Sequence, residues 1–170
     1  MTRVVGLVLA AAAAASCAGS VGPKGLEARA EFVDPAPQTE ERAVAGFERL
    51  RVEGVVDVEV RLGSPHALRV RGDVGRLCEI TAEVRDGTLI LGAAPGRPWR
   101  GAPRAFVEAP RLDALVAAGA GWTAVFGLDQ DELEVRVEGS GDVLLAGRVG
   151  AVRADLRGAG RLDRRQLVIR

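Results

Sequence analysis

The chain has 170 residues, with 23 Lys and Arg against 23 Asp and Glu; it is 48% hydrophobic but only 4% aromatic, and it lacks Tyr. Balanced charge excludes the concentrated positive field of a nucleic-acid-binding protein, and the length holds one domain behind a leader. A core short of aromatics must be built from Val, Leu and Ala, which suits narrow β layers, while 22 Gly and 8 Pro without a G-X-Y period imply frequent turns.

Met1-Thr2-Arg3 is a short basic start, and Val4 to Ala15 is an uncharged apolar run. The run is too short to cross about 30 Å of hydrocarbon, so residues 1–16 read as a secretory signal peptide. It ends in Ala14-Ala15-Ser16-Cys17-Ala18. Small residues before a Cys resemble the lipobox of bacterial lipoproteins, with Ala14 where Leu is commoner. Lipidation at Cys17 is expected, the acyl chains tethering the protein to a membrane. Ala18 rather than Asp after the Cys points to the outer membrane.

Cys78, the other cysteine, lies among apolar residues in Leu77-Cys78-Glu79-Ile80 and reads as a small core residue. Residues 17–45 carry Gly, Pro, Ala, Glu and Gln without a period and read as a flexible tether. Asp34-Pro35-Ala36-Pro37 is extended, and Glu40 to Ala45 could close one helical turn.

From Phe47 the pattern becomes that of strands. Phe47 to Val52, Val56 to Leu62 and Leu68 to Arg71 alternate apolar with polar residues, with Gly63-Ser64-Pro65-His66 as a turn. Ile80 to Arg85 and Thr88 to Leu91 flank Asp86-Gly87, a strong hairpin signal because both positions tolerate positive φ. A Gly/Pro-rich loop containing Trp99 follows, then a strand from Arg104 to Glu108.

Beyond Pro110 a repeat takes over. Leu112 to Ala117, Leu133 to Val137 and Val152 to Leu156 each lead into Gly-x-Gly, at Gly119-Ala120-Gly121, Gly139-Ser140-Gly141 and Gly158-Ala159-Gly160. Gly119 to Gly139 is 20 residues and Gly139 to Gly158 is 19. Thr123 to Phe126, Val143 to Leu145 and Leu167 to Ile169 are the intervening strands. A period near 20 made of short strands requires stacking, because one such unit cannot bury a face alone. The fold class expected is all-β, a single β-solenoid with Gly-rich corners; the alternative is a β-sandwich or jelly roll. After the second Gly stand Trp122, Asp142 and Arg161, so only the glycines recur. The repeat is expected to encode a turn rather than a ligand set.

Phe47-Glu48-Arg49-Leu50 through Gly54-Val55-Val56-Asp57-Val58, then Asp86-Gly87-Thr88-Leu89-Ile90, then Pro110-Arg111-Leu112-Asp113-Ala114-Leu115 before the Gly-x-Gly units, together resemble the putative auto-transporter adhesin, head GIN domain family, over residues 46–170. The resemblance implies an exported bacterial β-solenoid, often signal-bearing or lipidated, with no established catalytic residues to transfer.

The residues themselves argue the same way. His66 is the single His and decorates a turn, short of a triad or a metal set. Asp57 and Asp142 follow Gly-containing turns at matching positions and are expected to close those turns through their own backbone; the period is wrong for a Ca²⁺-binding roll. No phosphate loop is present, and the Gly-x-Gly units precede strands. Trp99 and Trp122 are the candidate ligand contacts, since an exposed Trp can stack on a sugar or anchor a protein; the competing reading is that each covers an open edge. The expectation is a non-catalytic cell-envelope lipoprotein of structural or adhesion type. It would have no catalytic, cofactor or metal residues, a membrane contact through its N-terminal lipid, and an envelope protein or glycan, not nucleic acid, as partner. The alternatives are a carbohydrate-active β-helix enzyme and an envelope-stress or signalling accessory protein.

Overall fold

The computed structural model of the protein describes residues 36–44, 46–94 and 101–170; the leader, Cys17, most of the tether and Trp99 lie outside the described residues. The described chain is all-β apart from one 3₁₀ turn, Leu77–Glu79, and its eleven strands form one curled sheet. The strands are β1 (Gln38–Arg42), β2 (Arg49–Val52), β3 (Asp57–Leu62), β4 (Ala67–Gly72), β5 (Ile80–Arg85), β6 (Thr88–Ala93), β7 (Arg104–Ala109), β8 (Ala114–Ala117), β9 (Thr123–Val137), β10 (Val143–Leu156) and β11 (Leu162–Ile169).

Period-two patterning puts one set of side chains inside. Val58 and Val60 of β3, Ala105 and Val107 of β7, Leu115 of β8 and Leu133, Val135 and Val137 of β9 are buried while their neighbours face outward. The buried set is aliphatic except for Phe47, as the composition required. Each such Leu or Val contributes about 1.5–3 kcal/mol when fully removed from water. Among the described residues one polar residue, Thr123, is buried in the core, and its hydroxyl has no hydrogen-bond partner there.

The repeat strands pair in parallel. β2 pairs with β8, β8 with the second half of β9, β9 with β10, and β10 with β11. β9 and β10 are each continuous where the sequence pattern suggested two short strands. Both carry a positive-φ glycine midway, Gly127 at +75° and Gly147 at +132°, and the β9–β10 register shifts between Leu145 and Gly147. The first half of each therefore belongs to the side containing β3 and β7, and the second half to the side containing β2 and β8. β2 with β6, β3 with β7 and β3 with the first half of β9 are parallel as well; the antiparallel pairs are β4 with β7, β1 with β4, and β5 with β6. The β5–β6 turn is the expected one, with Asp86 at φ +48° and Gly87 at +70°.

Two local expectations change. Gln38–Arg42, inside the stretch read as tether, is a strand rather than a helical turn. Its Arg42 guanidinium donates to the carbonyls of Leu77 (2.7 Å) and Ile80, which ties it to the domain. Cys78 is exposed on the 3₁₀ turn instead of buried. A three-residue turn presents every side chain on a short arc, and Leu77 takes the inward place.

The glycines of the repeat act differently from a simple turn signal. Gly119, Gly121, Gly139, Gly141, Gly158 and Gly160 do not have positive φ. Instead they stack. A Cβ on Gly139 would overlap the Gly119 carbonyl oxygen, one on Gly158 the Gly139 oxygen, and one on Gly141 the Gly121 oxygen. Ala120 N–H donates to Gly54 O (2.8 Å), Gly141 N–H to Gly119 O and Gly160 N–H to Gly139 O (3.1 Å each). Glycine is required here because successive backbones approach too closely for any side chain.

Candidate functional site

Successive corners are tied by acidic side chains as well as by backbone. Asp57 Oδ1 accepts from Trp122 N–H (2.9 Å), and Asp142 Oδ1 accepts from Arg161 N–H (3.0 Å). Each carboxylate thus satisfies a donor in the next corner rather than closing its own turn, which corrects the local reading of these two residues. The column Asp57, Trp122, Asp142, Arg161 alternates acceptor side chain with donor backbone, and its geometry anchors Trp122 at the rim of a face.

That face is the outer side of β4, β7, β3 and the first half of β9. Strand pairing sets Arg69 beside Phe106, Phe106 beside Glu59, and Glu59 beside Ala124; one step along, Glu108 stands beside Arg61, and Arg61 beside Phe126. Two shallow hollows open there. One, of about 580 Å³, is lined by Glu59, Arg61, Leu62, Trp122, Phe126 and Gly127. The other, of about 370 Å³, includes Thr39, Arg69, Arg71, Phe106 and Glu108 and shares Glu59 and Arg61 with the first. The shared pair is an ion pair at 2.8 Å, and Arg69 reaches Glu108 at 3.3 Å.

Four aromatic residues other than His lie among the described residues: Phe47, Phe106, Trp122 and Phe126. Phe47 is in the core. The other three line these hollows, Trp122 being 41% exposed and the two Phe half-buried. Aromatic rings flanked by Arg and Glu on an open surface can stack on a sugar face or receive apolar side chains, while the charged groups supply directional hydrogen bonds. Of the two Trp singled out in the sequence, Trp122 belongs to this face and Trp99 lies outside the described residues. Phe106 and Phe126 were missed. The phase of Arg104-Ala105-Phe106-Val107-Glu108, with the small and branched residues inside, was the available signal for Phe106.

A larger hollow, of about 770 Å³, lies over the bend of β9 and includes Asp113, Asp129, Asp131, Glu132 and Glu134. Four of its five carboxylates are tied to arginines: Asp113 to Arg111 (2.5 Å), Glu134 to Arg136 (2.8 Å), Glu132 to Arg153 (3.7 Å) and Asp129 to Arg170. These are cross-strand and near-neighbour ladders on a solvated surface. His66 lines none of these three hollows. Its Nε2 lies 2.8 Å from Phe47 O and 3.2 Å from Phe47 N, and its ring meets the Phe47 ring edge-on at 4.7 Å, fastening the chain's entry into β2.

Residues 46–170 match the family described as putative auto-transporter adhesin, head GIN domain. Solved structures share the fold. A putative adhesin from Parabacteroides merdae is 18% identical with a TM-score of 0.64, the alignment covering 72% of this chain and 53% of that one. One from Bacteroides fragilis is 18% identical with a TM-score of 0.62, covering 78% and 72%. One from Parabacteroides distasonis is 15% identical with a TM-score of 0.58, covering 76% and 65%. The chain thus spans about half the length of the first and just under two thirds of the last. No curated protein matches the sequence.

Proposed function

The chain belongs to the head GIN domain family, and from that premise we propose that it is an exported, non-catalytic binding module of the cell envelope, of structural or adhesion type. Its working surface is the outer face bearing Phe106, Trp122 and Phe126, and its partner is a glycan or an envelope protein. One observation carries the reading. A chain that builds its core almost without aromatics places three of its four described aromatics together on one open face. The part of each ring left open to water contributes nothing to the free protein, so its value lies in what covers it. The structural neighbours' description as adhesins supports the same class.

We read the parallel stack of corners and strands as a β-solenoid, since a sandwich or jelly roll is built of antiparallel sheets. Residues 1–16 are its signal peptide and 46–170 its binding domain; residues 17–45 are its tether up to Gln38–Arg42, which joins that domain as β1. The proposal includes lipidation at Cys17 and an outer-membrane location, with Trp99 as a further contact. The chain has two cysteines, so a thioether at Cys17 and an intrachain disulfide at Cys78 exclude one another: both consume the Cys17 sulfur. The intact mass of the membrane-extracted protein separates them, as an added diacylglycerol or as the loss of hydrogen on bridging.

The binding reading is tested on a glycan array and on immobilised envelope proteins, comparing wild type with Trp122→Ala and Phe126→Ala. Truncating an aromatic anchor costs about 2 kcal/mol, so each variant should bind about thirty-fold more weakly with its unfolding midpoint nearly unchanged. Variants that retain wild-type affinity would refute this face as the site, and sugar released from an array glycan would overturn the non-catalytic reading.

A further inference from the structure

Several arginines of this sheet are answered by a carboxylate two residues away. Arg51 pairs with Glu53 (2.7 Å), Arg61 with Glu59 (2.8 Å), Arg85 with Glu83 (2.6 Å) and Arg136 with Glu134 (2.8 Å). Strand periodicity sets residues two apart side by side on one face, so the sequence itself supplies these counterions. Arg71 and Arg104 break the pattern. Two residues on either side of Arg71 stand Arg69, held by Glu108 (3.3 Å), and Asp73, which reaches Arg76 (3.6 Å). The corresponding neighbours of Arg104 are Ala102 and Phe106.

Strand pairing brings these two exceptions together. Arg71 and Arg104 are direct cross-strand partners in the antiparallel β4–β7 pair, and both are exposed. Their side chains make no hydrogen bond or ion pair among the described residues. Like charges directly opposite one another on a sheet are destabilising. The acids of the surrounding outward rows are otherwise engaged or set elsewhere. Asp57, opposite Arg104, gives Oδ1 to Trp122 N–H (2.9 Å); Glu59 pairs with Arg61; Glu41 stands opposite Arg69. Thr39 flanks Arg71 on its other side, and both line the hollow of about 370 Å³ with Phe106. Phe106 lies two residues from Arg104 on the same outward row, about 7 Å along β7.

We propose that Arg71 and Arg104 form an anion subsite at the edge of the aromatic face, and that its ligand is an acidic glycan, a sugar ring lying on Phe106 and its carboxylate or sulfate on the two guanidinium groups. The proposal rests on the reading of that face as a binding surface. An anion held by both arginines replaces their repulsion with charge-assisted hydrogen bonds, which guanidinium groups make in forked, bidentate form. The hollow beside them suits a sugar. Phe106 offers a ring to stack on, and the Glu59–Arg61 and Arg69–Glu108 pairs offer acceptors and donors to hydroxyl groups. A nucleic acid is disfavoured, because Glu41, Asp57, Glu59 and Glu108 on the same face repel a continuous phosphate backbone. An acidic peptide is disfavoured because Asp and Glu side chains bring no ring to lay on Phe106.

The test measures binding of the full chain to polygalacturonate against its carboxyl-reduced form, and to dextran sulfate against dextran. The readout is the affinity ratio within each pair. Wild type should prefer the charged member of at least one pair, and the pair with the larger ratio identifies the anion. Charge-assisted hydrogen bonds from one arginine are worth roughly a factor of ten, so Arg71→Gln and Arg104→Gln should each reduce that preference about ten-fold. Because each relieves a repulsion, both variants should hold or raise the unfolding midpoint, whereas loss of a structural arginine would lower it. Arg148→Gln, which removes an arginine lining neither hollow of this face, should bind as wild type. Equal binding or none within both pairs would overturn the proposal. So would an equal loss in Arg148→Gln, which would assign the preference to net charge, or tighter binding of polyglutamate than of either charged glycan. Arginine variants with wild-type preference alongside a weakened Trp122→Ala would remove the subsite and leave the aromatic face standing; wild-type binding by Trp122→Ala as well would remove the face too.

Discussion

Replacing Gly139 by Ala tests the stacking of the corners most directly. The added methyl would overlap the Gly119 carbonyl oxygen and stand 2.7 Å from Ala118 O and 2.8 Å from Ala118 C, all of them backbone atoms that no side-chain rotation can move aside. Relief to an ordinary contact requires the 139–141 corner to rise by roughly 1 Å, which breaks the Gly139 N–H bond to Ala117 O and the Gly141 N–H bond to Gly119 O, both 3.1 Å. Losing two backbone hydrogen bonds at about 1 kcal/mol each, together with loosened contacts above and below, gives a loss of about 3 kcal/mol. Urea unfolding of the full chain followed by circular dichroism would read this as a lower midpoint. Thermal unfolding would fall by about 10 °C. Gly101→Ala is the matched control: a Cβ there meets nothing within 4 Å among the described residues and φ is not positive, so stability should hold or rise by a few tenths of a kcal/mol. If Gly139→Ala proves as stable as Gly101→Ala, the close approach of successive corners is not what selects glycine, and the argument fails.

Thr123→Val should stabilise the protein by about 1–2 kcal/mol in the same unfolding assay, because it replaces a buried, unpartnered hydroxyl with a methyl in a row already occupied by Val58 and Val143; a loss of stability would mean that the hydroxyl has a partner. The Arg165 guanidinium and its backbone N–H hold the Asp163 carboxyl down to about 2 from an ordinary 3.8. A depressed carboxyl adds stability that is present above its unfolded value and lost as pH falls from there through the folded one, so the contribution of this pair should fade between about pH 4 and pH 2. Carboxyl-detected NMR of Asp163 should show a midpoint near the low value, moving up in Arg165→Ala; equal midpoints in the two proteins would discount the pair.

Much of the fold was legible in the residues. Strict alternation in Val56 to Leu62 fixed which side chains of β3 go inside, and Asp86-Gly87 announced its hairpin through two positions that tolerate positive φ. The spacing of the Gly-x-Gly units announced a stack. Local periodicity carries such information because it depends on residues a few positions apart. What the glycines are for did not follow from it. Their role comes from a carbonyl about 20 residues away, at Gly119 for Gly139, and contacts at that range depend on parallel register. The same holds for Asp57, whose partner Trp122 N–H is 65 positions on. The aromatic face joins Phe106, Trp122 and Phe126 from two strands through β3, and the sequence singled out Trp122 alone, because exposure of a Phe is a property of its neighbours. Composition and spacing determined that the chain stacks β units around an aliphatic core. Tertiary structure decided which backbones touch and which rings face solvent together, because these depend on pairings between strands distant in sequence.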